Sequence, residues 1–240
     1  MEKTLMSKNL FSLVFFGTAL FVPNAFSASP ASKEYVNCKV NEVKAELEKK
    51  ISSLCGIPLT IGQKAFGGVV FWVDPTGKSA LIAEEFDLPN AFPWEETYRT
   101  LGTFADGVTI GLANTQSIKQ QTSTSLIAAT ACTTSSTASY TDWYLPSRTE
   151  LSLLYQQKVA GIVTNFAAPE DSTAYWSSTE HDGRDFGGGG YSTAWGQNFT
   201  NSKGLYLPVG GGGALNKKIP HRVRCIRVQS NQSCASQQLP

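Results

Sequence analysis

The chain has 240 residues, 41% of them hydrophobic and 11% aromatic, enough to bury the core of one large domain or of one domain with an appendage. Its 20 basic and 19 acidic side chains give a formal charge of +1, a balance that excludes a polyanionic partner recruited by net charge alone.

The first stretch reads as an export signal. Lys3 and Lys8 precede an apolar run from Leu10 to Val22 that is too short to cross a bilayer and is ended by Pro23. Ala25-Phe26-Ser27 then puts small residues where a signal peptidase reads, so residues 1–27 are predicted to be a signal peptide cleaved before Ala28. No later segment is apolar enough to span a membrane, and the mature chain is expected in the periplasm, at the cell surface or secreted. Cleavage removes Lys3, Lys8 and Glu2 and brings the formal charge to zero. The distribution stays uneven: Asp185 is the last acidic residue, and Lys203, Lys217, Lys218, Arg222, Arg224 and Arg227 follow it.

Residues 28–57 carry Val36, Val40, Val43, Leu47, Ile51 and Leu54 three or four residues apart, with Gly56 and Pro58 as the stop. This predicts an amphipathic helix, either packed on its own domain or serving as a short oligomerising stalk. Cys38 and Cys55 lie at its two ends, about 25 Å apart in a straight helix and beyond disulfide reach. The expected pair is Cys132 with Cys225, a helix end tied to the last strand.

From Gly68 the pattern becomes that of a β-hairpin, with Asp74-Pro75-Thr76-Gly77 as the turn, Ser79–Ala83 as the return and both arms buried. Leu88–Asp106 reads as a packed loop and Asn114–Ala131 as a helix ending near Cys132. Ser147 with Glu150 fits a capping box, and Leu151, Leu154 and Tyr155 give the helix Ser147–Lys158 one apolar face. Strands are predicted at Ala174–Ser178, Ser192–Phe199, Gly204–Pro208 and His221–Val228, with the glycine tract 210–213 as a flexible loop. Residues 230–240 form a polar tail.

Taken in order, GGVVFWVD, DWYLPSRTELSLLY, AYWSSTE, AWGQNF and RVRCIRV resemble the Lcl C-terminal domain family over about residues 58–229. The resemblance implies an α+β, C-type-lectin-like domain with two helices, small antiparallel sheets and long glycine-rich loops, here preceded by the N-terminal helix. The family includes the end of a bacterial collagen-like adhesin, where the domain is trimeric and binds sulfated glycosaminoglycans. It therefore implies an adhesin-type module, an anionic polysaccharide as partner and a homotrimer as assembly. This chain has no Gly-X-Y run, so the collagen-like stalk is missing.

On that basis Lys217, Lys218, His221 and Arg222, expected to be solvent-exposed beside a glycine loop, are the anion contacts, with Lys203. Tyr191 and Tyr206 are the candidate faces for sugar rings, whereas Trp176 and Trp195 are read as core. Arg224 and Arg227 are read as buried partners of a carboxylate such as Glu180. The acidic run Glu180, His181, Asp182 and Asp185 matches no calcium loop, and no paired-His or Cys-X-X-Cys motif supports zinc, so no metal or other cofactor is expected. The chain lacks Gly-X-Ser-X-Gly, a phosphate-binding loop and a dinucleotide fingerprint, and neither an enzyme nor a nucleic-acid partner is expected. The competing reading is a structural or protein-interaction accessory of an envelope or secretion assembly with no carbohydrate ligand.

Overall fold

The computed structural model describes residues 30–55, 59–122, 124, 126–167, 174–183, 190–200 and 210–230. The expected signal peptide, the strand Gly204–Pro208 and the tail after Ser230 lie outside them. The chain divides into two compact units, residues 1–50 and 51–240. The first carries most of α1 (Pro30–Cys55), on which Tyr35, Val36, Val40 and Val43 are exposed.

The second unit is an α+β domain. In chain order its elements are β1 (Lys64–Ala65), β2 (Gly68–Val73), β3 (Ser79–Glu84), α2 (Ile110–Gln121), α3 (Ala128–Thr134), α4 (Arg148–Val159), β4 (Ala174–Glu180), β5 (Thr193–Asn198), β6 (Gly212–Asn216) and β7 (Ile226–Ser230). They make two antiparallel sheets, ordered β1-β2-β3-β7 and β4-β5-β6. Among the described residues this unit holds three whole α-helices, α2, α3 and α4, one more than the two that the resemblance implies for the domain.

The hairpin forms as its sequence dictates. Asp74 turns the chain by accepting from the backbone N–H groups of Gly77 and Ser79 at 2.9 Å each. Alternation along β2 and β3 feeds two cores. Val70 and Ile82 pack with Trp94, Trp143 and Trp176, and Phe71 and Leu81 pack with Leu151, Leu154 and Tyr175. Buried on both faces, the hairpin is the wall between the two clusters.

The single helix expected over Asn114–Ala131 is two. Thr122 turns to extended backbone (φ −124°, ψ 144°), and Thr124 Oγ1 accepts from Leu126 N at 3.2 Å. Local hydroxyl bonds of this kind compete with the helical ladder, which ends one helix and leaves room for another. The glycine tract expected as a loop instead begins β6, because Gly212–Asn216 pairs residue by residue with Thr193–Gln197 and the cross-strand bonds override weak propensity.

The closing segment joins the sheets. His221 exchanges backbone bonds with Phe92 at 3.0 Å, Arg222 donates to Ala174 O and accepts from Trp176 N at 3.0 Å, and the chain then pairs with β3 as β7. Val223, Arg224, Cys225, Ile226 and Arg227 are all buried, so neither face of this alternating run meets solvent. Cys225 is bonded to Cys132 of α3, with a Cα separation of 5.5 Å across 93 residues of sequence, as expected from the sequence. The chain-entropy model assigns closure of so long a loop about 4–5 kcal/mol. The double substitution Cys132→Ala/Cys225→Ala is therefore expected to lower unfolding stability by about 3–5 kcal/mol in denaturant titrations. A change below about 1 kcal/mol would show that the crosslink does not constrain the unfolded chain.

Candidate functional site

The site begins with a helix start. Ser147 Oγ accepts from Glu150 N at 3.1 Å while Glu150 Oε2 accepts from Ser147 N at 2.8 Å, completing the capping box seen in the sequence. Pro146 O accepts from Ser178 N at 2.7 Å and Thr179 Oγ1 accepts from Arg148 N at 3.0 Å, which docks this helix end on β4. Arg148, the first helical residue, is thereby held above the sheet.

Beneath it β4 bulges, with a register shift between Trp176 and Glu180 against β5. Ser177 Oγ donates to Trp195 O at 2.7 Å and fixes the β5 backbone. Trp195 is half-buried, and the Arg148 guanidinium carbon sits 3.8 Å over its ring centroid. The His181 ring packs against the same indole at 5.0 Å, inclined by 61°. Gly196 is required here, since a Cβ would lie 2.4 Å from Leu215 Cδ1.

The stacked pair borders two hollows. One, of about 170 Å³, is lined by Arg148, Leu151, Ser152, Ser177, Trp195, Gly196, Gln197, Gly210 and Gly212. The other, of about 310 Å³, is lined by Phe104, Asp106, Arg148, Thr179, Glu180, Asp182 and Trp195. They meet at Arg148 and Trp195, which line both and make them two lobes about one stacked pair; among the described residues the smaller is neutral apart from Arg148 and the larger carries three carboxylates. Each falls near or below the lower end of small-molecule sites, about 300–1,000 Å³, so a lobe suits one ring-sized group with polar substituents. Trp195, read from sequence as core, is the aromatic floor. Its strand setting hid it, because alternation alone does not say which side of a short sheet a helix end covers.

The expected anion contacts do not converge. Lys217 is fully buried, correcting the expectation of an exposed cation: its ammonium pairs with Glu180 and donates to Arg99 O at 2.8 Å and Tyr191 O at 3.0 Å. Burial lowers its pKa, opposed by the Glu180 carboxylate. His221 is also buried, its ring 4.8 Å from that of Trp176. Arg222 is half-buried and its backbone is used in pairing. Lys203 and Tyr206 lie outside the described residues. Lys218 and Tyr191 are exposed and linked through Tyr98: the Lys218 ammonium lies 4.2 Å over the Tyr98 ring, whose centroid is 6.5 Å from that of Tyr191. Neither lines the groove.

Arg224 and Arg227 are buried ion-pair residues as read, but not with Glu180. Arg224 binds Asp87 at 2.6 Å and the carbonyls of Glu84 (3.0 Å) and Asn165 (2.6 Å); Arg227 grips both oxygens of Asp142 at 2.7 and 2.9 Å. Glu180 belongs to Lys217 and to the Leu101 and Gly102 amides, at 3.0 and 2.7 Å. Of the acidic run, Asp185 lies outside the described residues. Among the described residues no three His, Cys, Asp or Glu side chains group as metal ligands.

A disulfide-tied α+β domain with a shallow, tryptophan-floored groove is the class that fold and site define. The chain belongs to the Lcl C-terminal domain family, whose family model matches residues 87–227. The matched span takes in α4, β4, β5 and β6 with Arg148 and Trp195, and begins after the β2–β3 hairpin. No curated protein matches the chain.

Burial of Lys217 and of His221 each carries an expected outcome. Lys217→Met leaves Glu180 without its counter-ion and should destabilise the fold by about 3–5 kcal/mol in chemical denaturation, whereas an exposed ligand lysine would cost less than about 0.5 kcal/mol. For His221, burial lowers the pKa from 6.5 to about 4, so the fold keeps the ring neutral. Its contribution is full above pH 6.5 and is lost as pH falls toward 4, amounting to about 3 kcal/mol in all. His221→Phe should flatten that part of the stability profile, measured as the difference from the parent chain between pH 7 and 4. An unchanged profile would show that the imidazole titrates alike in both states.

Proposed function

We propose that the chain is an exported, adhesin-type module that binds an anionic polysaccharide in the Trp195 groove. The observation that carries this reading is Arg148 stacked on Trp195 between two open, polar-lined lobes. An indole face takes the apolar side of a pyranose ring, and hydroxyl, amide and carboxylate groups take its hydroxyls. A guanidinium supplies a paired contact to a carboxylate or sulfate.

Family membership supports an adhesin-like role. A disulfide fits an oxidising compartment, and among the described residues no helix is long and apolar enough to cross a membrane. The basic closing segment has less charge to offer than its sequence suggests, because Lys217, Arg224 and Arg227 are already matched by Glu180, Asp87 and Asp142, which supports the groove instead. A second reading, an accessory that joins an envelope assembly or a homotrimer through α1, draws on the exposed Val36, Val40 and Val43 of that helix.

Calorimetry of the full chain against hyaluronan, chondroitin sulfate and heparin oligosaccharides tests the groove. At least one should bind, Trp195→Ala should weaken it by about tenfold or more, and Lys218→Ala should leave it within about twofold, stacking on an aromatic ring being worth on the order of 1 kcal/mol or more. No binding by any of the three, or equal binding by Trp195→Ala, overturns the proposal and favours the accessory reading.

A further inference from the structure

We infer that Arg148 is a displaceable cover over the Trp195 face, and that it makes the groove select a saccharide bearing a carboxylate over the same saccharide with that charge removed. The inference rests on the groove reading above and adds which residue sets its specificity. The exposed guanidinium makes no hydrogen bond or ion pair among the described residues, although Asp106, Glu180 and Asp182 line the lobe beside it. It rests instead on the indole at 3.8 Å. An exposed contact of this kind favours the stacked position by only roughly two- to fivefold, so the cover is easily moved.

The parts around it are fixed. The Arg148 backbone is tied to Thr179 and follows the capped Ser147, and the Trp195 carbonyl is held by Ser177. Only the long side chain has freedom. Because Arg148 and Trp195 border both lobes, lifting the guanidinium joins them and uncovers the indole in one movement.

A ligand that merely stacks must displace the cover and gains nothing from it. A ligand with a carboxylate beside the stacking ring gives the guanidinium a paired, charge-assisted contact that outweighs the one it leaves. Asp106 and the Thr179 hydroxyl, which line the larger lobe, are the groups there that can meet the hydroxyls of the neighbouring ring. Arg148 therefore penalises neutral saccharides and rewards acidic ones from one position.

The test uses hyaluronan hexasaccharide, which carries a carboxylate on alternate rings, and its fully methyl-esterified form, each titrated into the full chain and into Arg148→Met by calorimetry and indole NMR. The parent chain should prefer the acid by about tenfold or more, the range of a hydrogen bond to a charged group. Arg148→Met should lose that preference, weakening for the acid by about tenfold while binding the ester as well as or better than the parent, and Arg148→Lys should fall between. Equal weakening for both forms, no change for either, or a parent chain that does not prefer the acid overturns the inference. If Trp195→Ala abolishes binding while Arg148→Met leaves the preference intact, the groove reading stands and only the cover fails. If the parent binds neither hexasaccharide, the cover fails, and the groove reading is then decided by the chondroitin sulfate and heparin titrations.

Discussion

The buried carboxylate of Glu150 is the constraint on which the site depends. Burial raises its pKa, and that cost is opposed by donors from three directions: Thr109 N at 2.7 Å, Ser147 N at 2.8 Å and the Tyr144 hydroxyl at 3.0 Å. One side chain thus ties the start of α2, the start of α4 and the aromatic run before α4. Gly111 completes the arrangement, since a Cβ there would stand 2.3 Å from Glu150 Oε2. The helix end that carries Arg148 can occupy only one place relative to β4 and β5, and the groove inherits that position.

The late cations show how a strongly biased segment can leave little surface charge. Lys217, Arg224 and Arg227 each find a carboxylate from a distant stretch of chain: Glu180, Asp87 and Asp142. Such pairs cost desolvation and are repaid only with full hydrogen bonding, which the carbonyls of Arg99, Tyr191, Glu84 and Asn165 provide. With the Cys132–Cys225 bond they make the closing segment a structural tie between distant stretches of the chain. The exposed guanidinium of Arg148, set on an indole by α4, is the cation that borders the groove.

Local chemistry made part of this legible in the sequence. Ser147 and Glu150 announced their helix because a capping box is complete within four residues, and Asp74 to Gly77 announced their turn for the same reason. The pairing of Cys132 with Cys225 was also read, as was the burial of Arg224 and Arg227. What was not legible depends on partners far along the chain. Lys217 looks like any cation beside a glycine loop until Glu180, 37 residues earlier, is seen against it. Gly212–Asn216 has the composition of a linker and is a strand only because Thr193–Gln197 lies alongside. Trp195 sits in a strand pattern that signals core, and the incomplete cover of α4 turns it into a floor. The dividing point within Asn114–Ala131 was masked by apolar spacing that continues across Thr122 and Thr124.

On the proposed reading, ligand meets the protein at the indole of Trp195 and not at the basic closing segment. Two-dimensional NMR of the five tryptophan indoles during titration with an acidic oligosaccharide reads this directly. The account requires the Trp195 resonance to move in a saturable way while those of the buried Trp94, Trp143 and Trp176 hold still. Binding that saturates in calorimetry while the Trp195 resonance stays unmoved would contradict it.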